Sequence, residues 1–258
     1  MGITISSHEG HAMNNMEAIL QFPFRDRDAW SQFLIACAVM LAAFVIPILP
    51  TILLMGYTVK IMRQIILEKR FPSMPAWQGS DWGEMLMDGL RFYGAQLILM
   101  LPLFLLIGCS VTFLLGGTVG ISVLADQGPR NLGPLAALLL FMGIFFTVIS
   151  SLLSLPYSIV LSAAQAHVAA RRSFNAAFEF KEWWQIFRAA IGQFLLAYVV
   201  VLIASFLLAF VMQIAMITIV LMCIVPFLMI PYSVYLMLVS NALYAQAYAR
   251  GQESLQTV

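Results

Sequence analysis

The chain has 258 residues, 62% hydrophobic and 10% charged, with a net charge of +1 and a mean hydropathy of +0.94. Soluble domains run at about 45–50% apolar and about 25% charged, so a water-soluble globule is excluded and lipid must be the solvent for much of this surface. The near-neutral charge gives no reason to expect a nucleic-acid partner.

In chain order, residues 1–15 (MGITISSHEGHAMNN) read as a flexible, solvated tail, and His8 and His11 belong to it rather than to a metal site. The first 28 residues contain no apolar core of signal-peptide type, so no cleavable signal is expected. From Met16 to Trp30, MEAILQFPFRDRDAW alternates apolar and charged residues. It predicts a short interfacial element anchored by Phe22, Phe24 and Trp30.

Four stretches carry no Asp, Glu, Lys or Arg: Ala29–Val59, Phe92–Ala125, Asn131–Ala170 and Ala189–Ala249. About 20 apolar residues make one helical crossing, and the last stretch has room for two. The first holds Pro47 and Pro50 near its middle, where proline bends or breaks a helix. It is either one kinked crossing from about Trp30 to Tyr57 or a re-entrant hairpin turning at the prolines. The hairpin is preferred, because it keeps both termini on the basic side. Further helices are expected at about Met85–Gly116, Leu135–His167, Ile186–Val211 and Ile219–Tyr244.

Basic residues between the charge-free runs fall at 60, 63, 69, 70 and 91, then only at 130, then at 171, 172, 181 and 188. The positive-inside bias therefore places the loops 58–85 and 168–186 in the cytoplasm, with ADQGPRNLGP outside. The expected architecture is all-α: a polytopic integral membrane helical bundle of five to six membrane segments. One embedded domain spans 16–251, with a short tail at 252–258, in the inner (plasma) membrane of a prokaryote. A loose internal repeat accompanies it. PYSIVLSAAQAHVAARR from Pro156 and PYSVYLMLVSNALYAQAYAR from Pro231 share a Pro-Tyr-Ser start, and PTILLMGYTVKIMRQ from Pro50 has a similar shape.

The segment FPSMPAWQGSDWGEMLMDGLRF, residues 71–92, concentrates charge in a chain that has little. Asp81 and Glu84 have the spacing of a capping box, and Asp88 and Arg91 continue the same helix face. Trp77 and Trp82 suit a membrane interface. A helix start at the cytoplasmic surface accounts for all of these residues. The functional alternative is a cation or proton site of Asp81, Glu84 and Asp88 with Arg91, whose three carboxylates would repel without compensation.

The order FPFRDRDAW, IPILPTILLMGY, FPSMPAWQGSDWGEMLMDGL, ALYAQAYARG resembles an uncharacterised family of prokaryotic multi-spanning membrane proteins, a domain of unknown function. That family resembles this chain in a Pro-Phe-Arg-Asp start, an Asp-Trp-Gly-Glu then Asp-Gly motif, and a closing Tyr-Gly-Gln-Ala-Tyr-like stretch. Met74-Pro75-Ala76-Trp77 stands here for Pro-Glu-Trp, and Ala245 for glycine. The resemblance runs from about Met16 to Gly251. It supports the architecture and implies no activity.

FEFKEWWQIFR predicts an interfacial amphipathic helix, with Phe180, Trp183 or Trp184, and Phe187 on one face; a docking surface is the sharper reading. Ser150, Ser154, Ser158, Ser162 and Ala166 recur at steps of four. Such a stripe predicts a helix-packing seam, and Gly116 with Gly120 adds a small pair. His167 is the one histidine near the membrane. It is expected to be solvated rather than to ligate a pigment or haem. Cys37, Cys109 and Cys223 are expected as buried hydrophobes, with neither disulfide nor zinc spacing.

No phosphate loop, HExxH, nucleophile elbow or CxxC pair is present. The function expected is a non-catalytic integral membrane subunit or scaffold, associating with the bilayer and with other membrane proteins or itself, and needing no cofactor or metal. The alternative is a small-molecule or lipid transporter using the proline-broken helices.

Overall fold

The computed structural model describes residues 16–127, 133–217 and 219–256. His8, His11 and residues 128–132 of the loop expected outside lie beyond the described residues. The described chain is helical without strands: α1 (Arg27–Ala42), α2 (Leu49–Ile66), α3 (Trp82–Gln127), α4 (Gly133–Arg171), α5 (Phe180–Ala189), α6 (Ile191–Ile217) and α7 (Ile219–Gln256). Short 3-10 turns occupy Phe22–Phe24, Gly79–Asp81 and Phe174–Phe178. Among the described residues, four stretches are long and apolar enough to cross a membrane: Gly79–Ser122, Gly133–Arg171, Ile191–Ile214 and Phe227–Gln256.

The chain forms two compact units. One combines the residues up to Ala95 with those from Ser162 onward; the other is Gln96–Leu161. Within the described part of the second, Asp126 is the single charged residue. There α3 and α4 run antiparallel along a seam of small residues. Tyr157 Oη donates to the Leu99 carbonyl. Ser110 Oγ bonds the Gly143 carbonyl at 3.1 Å and Thr147 Oγ1 at 2.5 Å. A Cβ on Gly117 would lie 2.6 Å from Leu140 Cγ, and one on Gly143 2.7 Å from Leu114 Cγ.

The expected serine stripe lies beside these contacts, with Ser150, Ser162 and Ala166 buried. The α4 residues in contact, 140, 143 and 147, advance by a three and a four, near the 3.5-residue mean that keeps one face against a neighbour, and Tyr157 follows ten residues on. A strict step of four drifts by about 40° each time at 3.6 residues per turn. Ser150 is buried, but Ser154 and Ser158 have turned half out of the contact. Their hydroxyls donate to the Ser151 and Leu155 carbonyls of their own helix.

In the first unit the helix breaks near Pro47 and Pro50, giving α1 and α2. Asp26 Oδ1 caps α1 by accepting from the Ala29 amide at 2.7 Å. The chain turns through residues 43–48, and α2 starts with Pro50 in its first turn, where the missing N–H costs nothing. At 1.5 Å per residue each helix is about 24–27 Å long, short of the ~30 Å hydrocarbon core. The tip carries exposed Phe44, Val45, Ile46 and Ile48.

Helix α2 meets α3 at glycines. A Cβ on Gly56 would fall 1.7 Å from the Met85 carbonyl oxygen, and one on Gly89 1.9 Å from that of Ile52. The two backbones touch, which only glycine permits. Helix α7 packs against α1, α2, α5 and α6 and buries Val234, Leu238, Ala242, Ala245 and Tyr248.

The loose repeat has a structural counterpart. Tyr157 and Tyr232, each following a Pro in a Pro-Tyr-Ser triplet, donate to backbone carbonyls of the preceding antiparallel helix, at Leu99 and Ala204. Helices α2 and α4 are both followed by a basic residue of positive φ, Lys69 at 50° three residues past Ile66 and Arg172 at 51° directly after Arg171. Helices α3 and α4 run past their expected ends at both termini and carry Pro102 and Pro156 inside them, as expected. Cys37 is half-buried and Cys109 exposed; on a charge-free helix that exposure suits lipid as well as burial would. The Cys223 side chain lies outside the described residues.

Candidate functional site: a charge clamp and a histidine cluster

The acidic face of α3 is compensated by partners far away in sequence. Asp88, with its side chain 10% exposed, lies in a two-pronged pairing with Arg172: Arg172 Nε donates to Oδ1 at 3.1 Å and Nη2 lies 2.6 Å from Oδ2. Glu84 pairs with the same guanidinium, and Arg91 Nη1 reaches Asp88 Oδ1 at 3.4 Å. Planar guanidinium matches carboxylate geometry in this way. Hydrogen bonding from Asp88, with a smaller contribution from Glu84, outweighs burial and holds the Arg172 guanidinium above its ordinary value.

Two further arginines serve the end of α4. Arg91 Nη1 donates to the Arg172 carbonyl at 3.3 Å and Arg63 Nη1 to the Ala170 carbonyl at 3.5 Å. The last carbonyls of a helix lack internal partners and carry the negative end of its dipole. Cations from α2 and α3 satisfy both needs. Burial first, and then the like charge of Arg172, draws Arg63 below its usual value.

Asp81 is not the cap its spacing predicted. It closes the 3-10 turn ahead of α3, and its oxygens accept from Lys60 Nζ at 2.7 Å and Ser80 Oγ at 3.0 Å. A basic residue one helix away outcompeted the local amide. Trp77 is held by its neighbours: it stacks on Tyr57 with centroids 4.3 Å apart, and its amide and Nε1 donate to Gln32. Trp82 is exposed.

The second cluster surrounds His167, which is buried at 1% exposure rather than solvated. Its Nδ1 lies 2.6 Å from Tyr248 Oη on α7, and its Nε2 lies 2.8 Å from Glu179 and 3.8 Å from Glu182. Arg171 Nη2 holds Glu182 at 2.6 Å. The amphipathic α5 forms as its pattern predicts, but its buried face is Trp183, Ile186 and Phe187, with Phe180 and Trp184 outward. Gly251 lets α7 approach this helix, since a Cβ there would lie 2.6 Å from the Ile186 carbonyl oxygen.

The structure therefore joins Glu84, Asp88 and Arg91 in one cluster, adds Lys60, Arg63 and Arg172 to it, and centres a separate one on His167. Trp183, Trp184, Ser150, Ser154 and Ser158 belong to neither. The basic partners were visible as positive-inside markers, and nothing local tied them to a particular acid. Gly56 and Gly89 carried the one available signal, glycine inside an apolar helix.

Four apolar helices of spanning length, with ion pairs gathered near the helix ends, define an α-helical membrane protein. The chain belongs to the DUF4013 family, proteins of unknown function, whose model matches residues 39–221. The matched region is shorter than the 16–251 expected; it includes Gly56, Asp88, Gly89 and Arg172 and leaves out FPFRDRDAW and ALYAQAYARG. No curated protein and no solved structure matches the chain.

Proposed function

We propose that this protein is a non-catalytic integral membrane subunit that holds another transmembrane helix against α6. One observation carries the reading. One face of α6 bears an open groove of about 360 Å³ lined by Tyr198, Val201, Leu202, Ser205, Phe206 and Ala209, with the short Ser205 and Ala209 side chains among them. Lipid gives no advantage to short side chains over leucine, whereas a neighbouring helix packs closely against them. Ser205 Oγ donates to the Val201 carbonyl at 2.8 Å, so the hydroxyl is already satisfied at membrane depth.

The charge clamp fits this role. Its acids are matched by bases of the same cluster, which fixes α2, α3 and the end of α4 as a rigid base for the spans. The concentration of Lys and Arg there supports a cytoplasmic location in a prokaryotic inner membrane, with α1 and α2 as a re-entrant hairpin beside four crossings. Purification in mild detergent tests the role: a discrete membrane protein, or a second copy of this chain, should co-elute and be lost in Ser205→Phe. A chain that elutes alone, or keeps its partner in that variant, refutes it.

A second reading has its own observation. Met40, Ala43, Phe44, Met212, Val225, Met229, Ile230 and Ser233 line an apolar groove of about 460 Å³ beside the hairpin tip, a shape suited to an acyl chain. Lipid transport would use that groove, and acyl-chain exchange between vesicles would reveal it.

A further inference from the structure

We infer that His167, Glu179 and Glu182 form a binding site for one divalent first-row transition-metal ion, with Zn²⁺ as the reference ligand. The three donor atoms come from different elements: His167 from the last turn of α4, Glu179 from the junction ahead of α5, and Glu182 from the first turn of α5. They all lie within 4.8 Å of one another. Nε2 stands 2.8 Å from one carboxylate oxygen and 3.8 Å from the other. Bonds of about 2.0–2.2 Å in tetrahedral array place neighbouring ligand atoms roughly 3.3–3.6 Å apart. These two distances bracket that value and the third lies within 4.8 Å, so rotation of the two half-exposed carboxylates about their own side-chain bonds completes the set. Three protein ligands of the His-plus-carboxylate type leave a fourth position for water.

The surroundings favour a metal over a plain ion pair. A metal-ligating histidine keeps its other nitrogen on a fixed hydrogen-bond partner, which orients the ring and sets its tautomer. Tyr248 Oη does this, 2.6 Å from Nδ1 and delivered by α7. The bound tautomer carries its proton on Nδ1, donates it to Tyr248, and turns the Nε2 lone pair to the ion. Arg171, 2.6 Å from Glu182, holds that carboxylate as ligating carboxylates are commonly held. The imidazole is buried and the two carboxylates are half open to solvent, which gives the ion an entry path. The donor set of one imidazole and two carboxylates suits Zn²⁺, Fe²⁺ or Mn²⁺.

Equilibrium dialysis of the full chain in mild detergent, stripped with EDTA and titrated with ZnCl₂, tests the site. One Zn²⁺ per chain should bind, and it should raise the thermal unfolding midpoint. Glu179→Gln and Glu182→Gln alter exposed groups and keep their shape, so both should fold; each should weaken Zn²⁺ at least tenfold and together remove both the binding and the thermal shift. Tyr248→Phe should bind 10–100-fold more weakly, as loss of an outer-shell partner does. Failure of the wild-type chain to bind stoichiometric Zn²⁺, or binding unchanged in the double glutamine variant, overturns the assignment.

Discussion

Asp88 and Arg172, 84 positions apart, meet in a two-pronged ion pair that ties the start of α3 to the end of α4. The aspartate is nearly buried while the guanidinium keeps contact with water, so each depends on the other unequally. Removing the arginine leaves a nearly buried carboxylate beside Glu84 with only the longer Arg91 contact at 3.4 Å, whereas removing the aspartate leaves Arg172 with Glu84 and solvent.

Arg172→Ala should therefore destabilise more than Asp88→Ala. The double variant should be less damaged than the sum, with a coupling of about 1–3 kcal/mol. Chemical unfolding of the four proteins in detergent measures this. Equal single effects that simply add would show the fork to be incidental.

Gly56→Ala and Gly89→Ala should each prevent folded protein from accumulating, since the new methyl meets backbone that cannot move aside. Gly83→Ala on the same helix finds open space. It should be neutral or stabilising by about 0.4–1 kcal/mol. Expression and size-exclusion profiles of the three variants decide the matter; a well-folded Gly56→Ala protein contradicts the close crossing.

Asp81 serves Lys60, so its charge counts rather than its capping oxygen. Asp81→Asn and Asp81→Ala should lose the same small amount of stability, Lys60→Gln should resemble both, and raised salt should erase the difference from wild type. An asparagine that fully rescues would restore the capping role that the spacing implies.

These cases show what the sequence made legible. Charge-free runs of more than 20 residues determined the apolar helices, because the length of a crossing is set by the bilayer. The breaks at Pro47 and Pro50 were readable for the same reason that proline is disfavoured inside helices. The site was less readable. Asp81 and Glu84 obey a local rule, yet both are claimed by bases from other helices, Lys60 and Arg172. Tyr248 and His167 lie 81 residues apart, and no periodicity joins them. The seam of α4 was half visible in Ser150, while Gly143 and Thr147, which make the contact, needed the partner helix to be known.

The bias of Lys and Arg supports the proposal that the clamp is cytoplasmic. Cysteines placed at Gln64 and Asn175 should resist an impermeant thiol reagent in intact cells and react once the membrane is opened. Labelling of either in intact cells would reverse the orientation.

The proposal that α6 holds a partner is tested most directly by a photo-reactive residue in place of Phe206, activated in native membranes. The account predicts one discrete protein adduct of reproducible mass, absent when the same residue replaces Leu138 on α4 and lost in Ser205→Phe. Adducts with lipid alone at position 206 would contradict it.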